Sequence, residues 1–210
     1  MLFNKAGDHL IQCATTKSGK YRVPDGVKSI DFNAFLETKS LSSVTVSKDV
    51  ETISNGAFSR SGIKKIDFEN GSKLKNIEKQ AFYQADGLES VTIPASVTTI
   101  GPEAFRSIKT LKKVTFASGS NLDKIVANSF SDNPNLETVS FEGTSHITAI
   151  EADAFARDKK LKSFIIPASV TTIEQNAFMD TPSMTTVTFA QPATIETISK
   201  GAFAYSGIKA

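Results

Sequence analysis

The side chains best suited to chemistry are few and scattered in this sequence. His9 and His146 are its two histidines, and Cys13 is its single cysteine. Nucleophilic catalysis by a cysteine needs a base within hydrogen-bond reach. His9 lies four residues before Cys13, a spacing that one helical face could close. The stretch continues as "ATTKSGKY", which reads as a cap strand, so the pair is not expected to make a site. His146 falls in a polar connector, where a solvated side chain is expected. Zinc-type ligation needs three or four convergent His or Cys groups, and they are too scarce here. A lone cysteine excludes an intramolecular disulfide. "TKSGKYR" has the lysine of a phosphate loop without its first glycine. Glu69, Glu142 and Glu151 are too scattered to act as an acid–base pair. Catalysis is therefore not expected, and neither is a metal or a cofactor.

Two groups remain as binding candidates. Lys65, Asp67 and Glu69 form a charged row at alternate positions, with Lys113 further along. Such a row can meet a charged ligand or serve as a solvated face. Asn70-Gly71-Ser72 is an N-glycosylation sequon, which matters only in a eukaryotic secretory pathway.

Composition narrows the class of partner. The 210 residues are 40% apolar and 22% charged, ordinary for a folded chain. The formal net charge of +2 gives no basis for nucleic-acid binding. No apolar run approaches the ~20 residues that span a bilayer, so no membrane insertion is expected. The first residues, "MLFNKAGDHLIQC", lack the order of a signal peptide. Phenylalanine is overused, at fifteen, with three tyrosines and no tryptophan. One aromatic type used so often points to internal repeats.

The repeat is explicit. Ile-x-x-x-Ala-Phe occurs at Ile30–Phe35, Ile53–Phe58, Ile77–Phe82, Ile100–Phe105, Ile150–Phe155, Ile173–Phe178 and Ile198–Phe203. Ile125–Phe130 is an eighth copy with Ser129 for alanine. Successive phenylalanines are 23 to 25 residues apart. After each comes apolar-x-x-apolar-x-apolar, as in Leu88/Val91/Ile93, whose last two positions read as a short strand. Each unit has too little to close a core alone, but stacked units bury a continuous ladder, which is the logic of a solenoid. The Ala-Phe segment reads as a short helical or 3₁₀ turn. A parallel β-helix, with three strands per coil, is the structural alternative.

The connector after the strand takes two lengths. Three residues follow Val23, Val46, Ile93 and Ile166, and five follow Phe68, Phe116, Phe141 and Phe189. A large ring at the strand end is expected to need the wider arc. Pro24, Pro94 and Pro167 open short connectors, and proline stops a ladder because it has no N–H. "IPASVTTI" therefore recurs at Ile93–Ile100 and Ile166–Ile173 as the same corner, three coils apart.

The unit "LxxVxIPxxVxxIxxxAF" resembles the BspA-like leucine-rich repeat, best at Leu88–Thr110 and Leu161–Ser183. The family's frequent cysteine after Ala-Phe is replaced here by Thr38, Ser61, Ala85, Ile108, Asn133, Asp158 and Thr181. The resemblance implies a right-handed α/β solenoid with a parallel sheet on its concave face. Together with the residue pattern, it gives short helical or 3₁₀ turns and connectors on the convex side. It also implies a cell-surface or secreted protein that adheres to host or neighbouring-cell proteins. An intracellular interaction scaffold is the alternative. The expected organisation is an N-terminal cap over 1–20, with a hairpin through Leu10, Ile11 and Tyr21. A solenoid of about eight coils over 21–210 follows, its last coil incomplete and open to association.

Side chains flanking the buried strand positions point outward by the two-residue period. They are mostly Ser and Thr, including Thr92, Thr115, Ser140 and Thr188. Such a face suits a broad protein contact. The candidate contact residues are those that depart from it: Arg22, Lys65, Asp67, Glu69, Lys113 and the outward apolar Ile165.

Overall fold

The computed structural model describes residues 1–209, so Ala210, the last residue of the expected solenoid, lies outside the described residues. An N-terminal pair, β1 (Leu2–Phe3) and β2 (His9–Gln12), is antiparallel. From there two kinds of strand alternate. Long strands are β3 (Gly19–Arg22), β5 (Leu41–Val46), β7 (Lys65–Phe68), β9 (Ser90–Ile93), β11 (Lys113–Phe116), β13 (Thr138–Phe141), β15 (Ser163–Ile166) and β17 (Thr186–Phe189). Two-residue strands lie between them: β4 (Ser29–Ile30), β6 (Thr52–Ile53), β8 (Asn76–Ile77), β10 (Thr99–Ile100), β12 (Lys124–Ile125), β14 (Ala149–Ile150), β16 (Thr172–Ile173) and β18 (Thr197–Ile198). Each kind pairs in parallel with equivalents in neighbouring coils, in two sheets for the short strands and three for the long ones, with the repeat register intact: Val91, Val114 and Val139 align, as do Ile30, Ile53 and Ile77. The molecule is thus a parallel-sheet solenoid.

The first coil begins earlier than the Ala-Phe pattern shows. His9–Leu10 pairs in parallel with Ser29–Ile30, and the Cys13 N–H bonds to the Ala34 carbonyl as Phe35 does to Ala57. Cys13 therefore occupies the phenylalanine position of that coil. Tyr21 belongs to β3 in the long-strand stack and takes no part in the N-terminal hairpin.

Phenylalanine forms the core axis. Phe35, Phe58, Phe82, Phe105, Phe130, Phe155, Phe178 and Phe203 stack in one column, with neighbouring centroids 4.6 to 5.5 Å apart and ring planes within 12°. Offset stacking at such distances is the preferred aromatic geometry. The small residue before each ring, alanine in seven coils and Ser129 in the other, is buried, because a bulky side chain there would hold adjacent coils apart.

The helical or 3₁₀ turn expected at Ala-Phe, and with it the α part of the fold class, is overturned: no helix occurs among the described residues. The N–H groups of that segment alternate instead. Those of Ala34, Leu36 and Thr38 reach carbonyls three residues back, while those of Asn33, Phe35 and Glu37 reach Asn55, Ala57 and Ser59 in the next coil. A helix would use every N–H internally, which would leave adjacent coils unjoined on this side. The alternation bends the backbone to positive φ at Asn33 (56°) and Glu37 (56°), and at the equivalent residues of later coils. The step before Ala-Phe is also more than a return to the core. It forms the second, two-residue strand of every coil, too short to show an alternation in sequence.

Candidate functional site

The long strands do not form one sheet. They divide into β3-β5-β7, β9-β11-β13 and β15-β17. Both divisions fall where a long connector is followed by a coil whose short connector begins with proline: Phe68 then Pro94, and Phe141 then Pro167. At four other junctions the residue after a strand donates its N–H to the last strand residue of the preceding coil: Glu69 to Val46, Ala117 to Ile93, Glu142 to Phe116 and Ala190 to Ile166. Pro94 and Pro167 have no N–H to give Phe68 and Phe141. The wide arc of one coil beside the tight arc of the next then leaves a recess.

Two clefts result. The first holds about 450 Å³ between β7 and β9, and Phe68 shares its wall with its own connector, Glu69–Ser72. The second holds about 500 Å³ between β13 and β15, where Phe141 shares the wall with Gly143–Ser145. That arrangement agrees with the larger ring requiring the wider connector.

The six candidate residues are dispersed over this face. Arg22, Lys65, Asp67 and Glu69 gather at and beside the first cleft. The Arg22 Nε–H donates to Glu69 Oε1 at 2.7 Å and Nη2 to Glu69 Oε2 at 3.1 Å and to Asp25 Oδ1 at 2.6 Å. The Lys48 backbone N–H adds a 3.2 Å bond to Glu69 Oε2. The Arg22 guanidinium, bonded at both carboxylate oxygens, holds Glu69 below its ordinary pKa, and Glu69 in turn raises that of Arg22. Lys65 Nζ lies 2.8 Å from Asp67 Oδ1. The charged row is thus largely paired within itself. Lys113 stands on β11, in register with Ser90 and Thr138, away from that cluster. Ile165 is 58% exposed and lines the second cleft. Thr115, expected to face outward, is only 5% exposed and accepts a 3.3 Å bond from the Ser140 hydroxyl.

Other reactive groups are structural. Cys13 is buried, its thiol donates to the Ala14 carbonyl at 3.4 Å, and burial pushes its pKa up. His9 Nδ1 bonds instead to Asp31 Oδ1 at 2.9 Å, so the four-residue pairing with Cys13 is not made. His146 Nδ1 meets the Ser120 carbonyl at 3.0 Å and ties two long connectors together. No cluster of three or more metal-type ligands occurs among the described residues. On the turn side, Asp132 accepts from Arg157 Nε at 2.5 Å and Arg106 Nε at 2.8 Å. Burial raises its pKa, but the two guanidinium groups outweigh that and hold it below the ordinary value.

The position after Ala-Phe carries a buried polar column. The Asn133 N–H donates to Asp158 Oδ1 at 2.8 Å, and Asn133 Oδ1 accepts from the Ile108 N–H at 2.8 Å. Asn133 Nδ2 donates to the Phe105 and Phe130 carbonyls. Asp158 Oδ2 is buried without a partner, and desolvation pushes this carboxyl well above its usual range.

Comparison with known proteins agrees with this architecture. The BspA type leucine rich repeat region matches in six copies, over residues 12–118 and 75–209. The chain belongs to that family. A leucine-rich repeat protein from Bacteroides ovatus superposes over 100% of the chain and 55% of its own length, with a TM-score of 0.76 at 20% identity. A leucine rich cell surface protein from Faecalibacterium prausnitzii covers 89% of this chain and 57% of its own, with a TM-score of 0.51 at 22% identity. A leucine rich repeat protein from T. pallidum covers 89% and 75%, with a TM-score of 0.53 at 18% identity. The chain thus spans little more than half of the first two. No curated protein matches it. The repeats are of a type consistent with protein interaction, and no helix is long and apolar enough to cross a membrane.

The clefts themselves were not anticipated. Their signal was present as a proline corner following a long connector, but it lies in the relation of two coils and in neither coil alone.

Proposed function

We propose that this chain is a non-enzymatic protein-binding module, the repeat domain of a cell-surface or secreted adhesin. Its solenoid meets a host or neighbouring-cell protein across the long-strand face. The observation that carries the reading is the face itself: broad, lined largely by Ser and Thr, and recessed by open clefts. Arg22, Lys65, Asp67, Glu69, Lys113 and Ile165 supply its chemical variety. Family membership and a structural neighbour described as a cell surface protein support the location.

The test is retention of fibronectin, collagen, laminin and fibrinogen on the immobilised chain, with the double charge reversal Lys65→Glu, Asp67→Lys alongside. The reading expects one of these proteins to be retained with saturable affinity. Retention of none overturns it, and retention unchanged by the reversal moves the contact off the charged row.

A further inference from the structure

The two clefts share one corner sequence and differ in what lines them. Lys65, Asp67 and Glu69 line the first. At the equivalent places the second has Thr138, Ser140 and Glu142, and Glu142 is exposed beside the cleft without lining it, so that no ionisable side chain is among the lining residues. Thr92 in the first corresponds to Ile165 in the second, 73 residues on. Deepening the protein-binding reading above, on which this rests, we propose that the Pro167 cleft is the anchor pocket of the interface. It takes uncharged apolar side chains of an extended partner segment against Ile165.

The walls argue for that occupant. A charged side chain entering this recess would lose water and find no counter-charge among the residues that line it, which is costly. Ile165 is large, apolar and more than half exposed, so its burial is the main gain available on a face of hydroxyls. About 500 Å³ accommodates two or three side chains rather than one. The facing edges of β13 and β15 carry no ladder, and Ser163, Thr138 and Gln191 stand at the wall. A peptide meets the hydroxyls and the amide of that wall with its own N–H and C=O groups. An aliphatic small molecule would leave those polar groups unmatched.

The experiment uses the full chain with isoleucine methyl groups labelled for NMR. Four probes are titrated: acetyl-Ser-Leu-Ser-Phe-Ser-amide, the same peptide with Lys or with Glu at both apolar positions, and hexanol. The expected result is a saturable shift of the Ile165 methyl with the Leu/Phe peptide, at least tenfold weaker for the charged peptides and for hexanol. By calorimetric titration of the Leu/Phe peptide, Ile165→Val should retain the binding and Ile165→Ser should weaken it at least tenfold, with the methyl spectrum of the buried isoleucines unchanged. No shift at Ile165, equal shifts with a charged peptide or hexanol, or a response centred on Ile66 overturns the proposal. The two readings fail separately. A protein retained equally by wild type and Ile165→Ser removes the anchor role while leaving the module a binder. A bound Leu/Phe peptide with no protein retained leaves the cleft's preference for apolar peptide side chains and removes the adhesin.

Discussion

The Pro94 cleft and the Pro167 cleft have the same backbone cause and opposite linings. In both, a five-residue connector after phenylalanine sits beside a three-residue connector that opens with proline, and the sheet parts between them. One wall then carries a lysine and two carboxylates, and the other carries hydroxyls and an isoleucine. The comparison teaches that the corner sets the shape, while residues that vary freely at the outward positions set the chemistry. It also shows that an exposed charged row can be the less available surface. Arg22 and Lys65 already hold Glu69 and Asp67, so a partner would have to displace pairs that exist.

The largest test concerns what lies behind each cleft. Phe82 stacks only on Phe58 and Phe105, whereas Phe155 stacks on Phe130 and Phe178 and also takes Phe164 at 5.1 Å. Phe82→Ala and Phe155→Ala should each cost about 3–5 kcal/mol in chemical denaturation, with the larger loss at Phe155. Equal losses would mean that the second cleft has no stiffer floor than the first.

The next test concerns Asp158, in the coil that leads into β15. Its folded pKa lies above the unfolded value, so its contribution to stability is complete below about pH 4 and falls as pH rises toward the folded pKa. Asp158→Asn supplies an amide that can donate as Asn133 does. The variant should be more stable at pH 7 by about 1–3 kcal/mol, and the difference should close below about pH 4. A pH-independent difference in denaturant midpoints would show that the carboxyl is not buried in its neutral form.

A smaller effect is expected at the prolines. Pro94→Ala and Pro167→Ala each restore an N–H facing the preceding strand, worth about 1 kcal/mol if bonded, and each loosens the unfolded chain by about 0.4–1 kcal/mol. Net stability should barely move, while the new amide at residue 94 or 167 exchanges slowly because the closed ladder protects it. Fast exchange in both variants would assign the clefts to connector length alone. The smallest effect belongs to Glu69→Gln. Its carboxylate has a depressed pKa, so the stabilisation from Arg22 is present at neutral pH and is lost as pH falls through the folded value. The loss in the variant should shrink further in high salt. A salt-independent loss would mark the pair as a structural tie from β3 to the connector after β7.

The stacking itself was legible before any coordinates. Seven Ala-Phe segments and Ser129-Phe130, all in phase, give every coil but the first, the register of Val91, Val114 and Val139, and the meaning of the 73-residue interval. What escaped were features decided by hydrogen bonding between coils. Ile30 and its equivalents lie on strands two residues long, which have no period to read. The Ala-Phe segment has a helix-like length, but its N–H groups are shared with the next coil, and no propensity of Asn33 or Glu37 reports that. Ile165 was legible as an outward apolar residue; its place in a recess depends on Pro167 and on the connector after Phe141. Thr115 follows the outward period and is nevertheless covered, so period gives direction and does not give exposure.

The turn side of the solenoid has a direction. In coil after coil its shared bonds run the same way, from Phe35 to Ala57, Phe58 to Ala81, Phe82 to Ala104, Phe130 to Ala154 and Phe178 to Ala202. The donor always belongs to the earlier coil. Aligned peptide dipoles add along an axis, as they do in a helix. The column beside the phenylalanine rings is therefore electrically polar over its length, and each added coil lengthens the dipole. A coil can be duplicated or removed by recombination without disturbing this order, because every copy enters facing the same way. A coil of reversed sense would set donor against donor on this side, however well its phenylalanine filled the column.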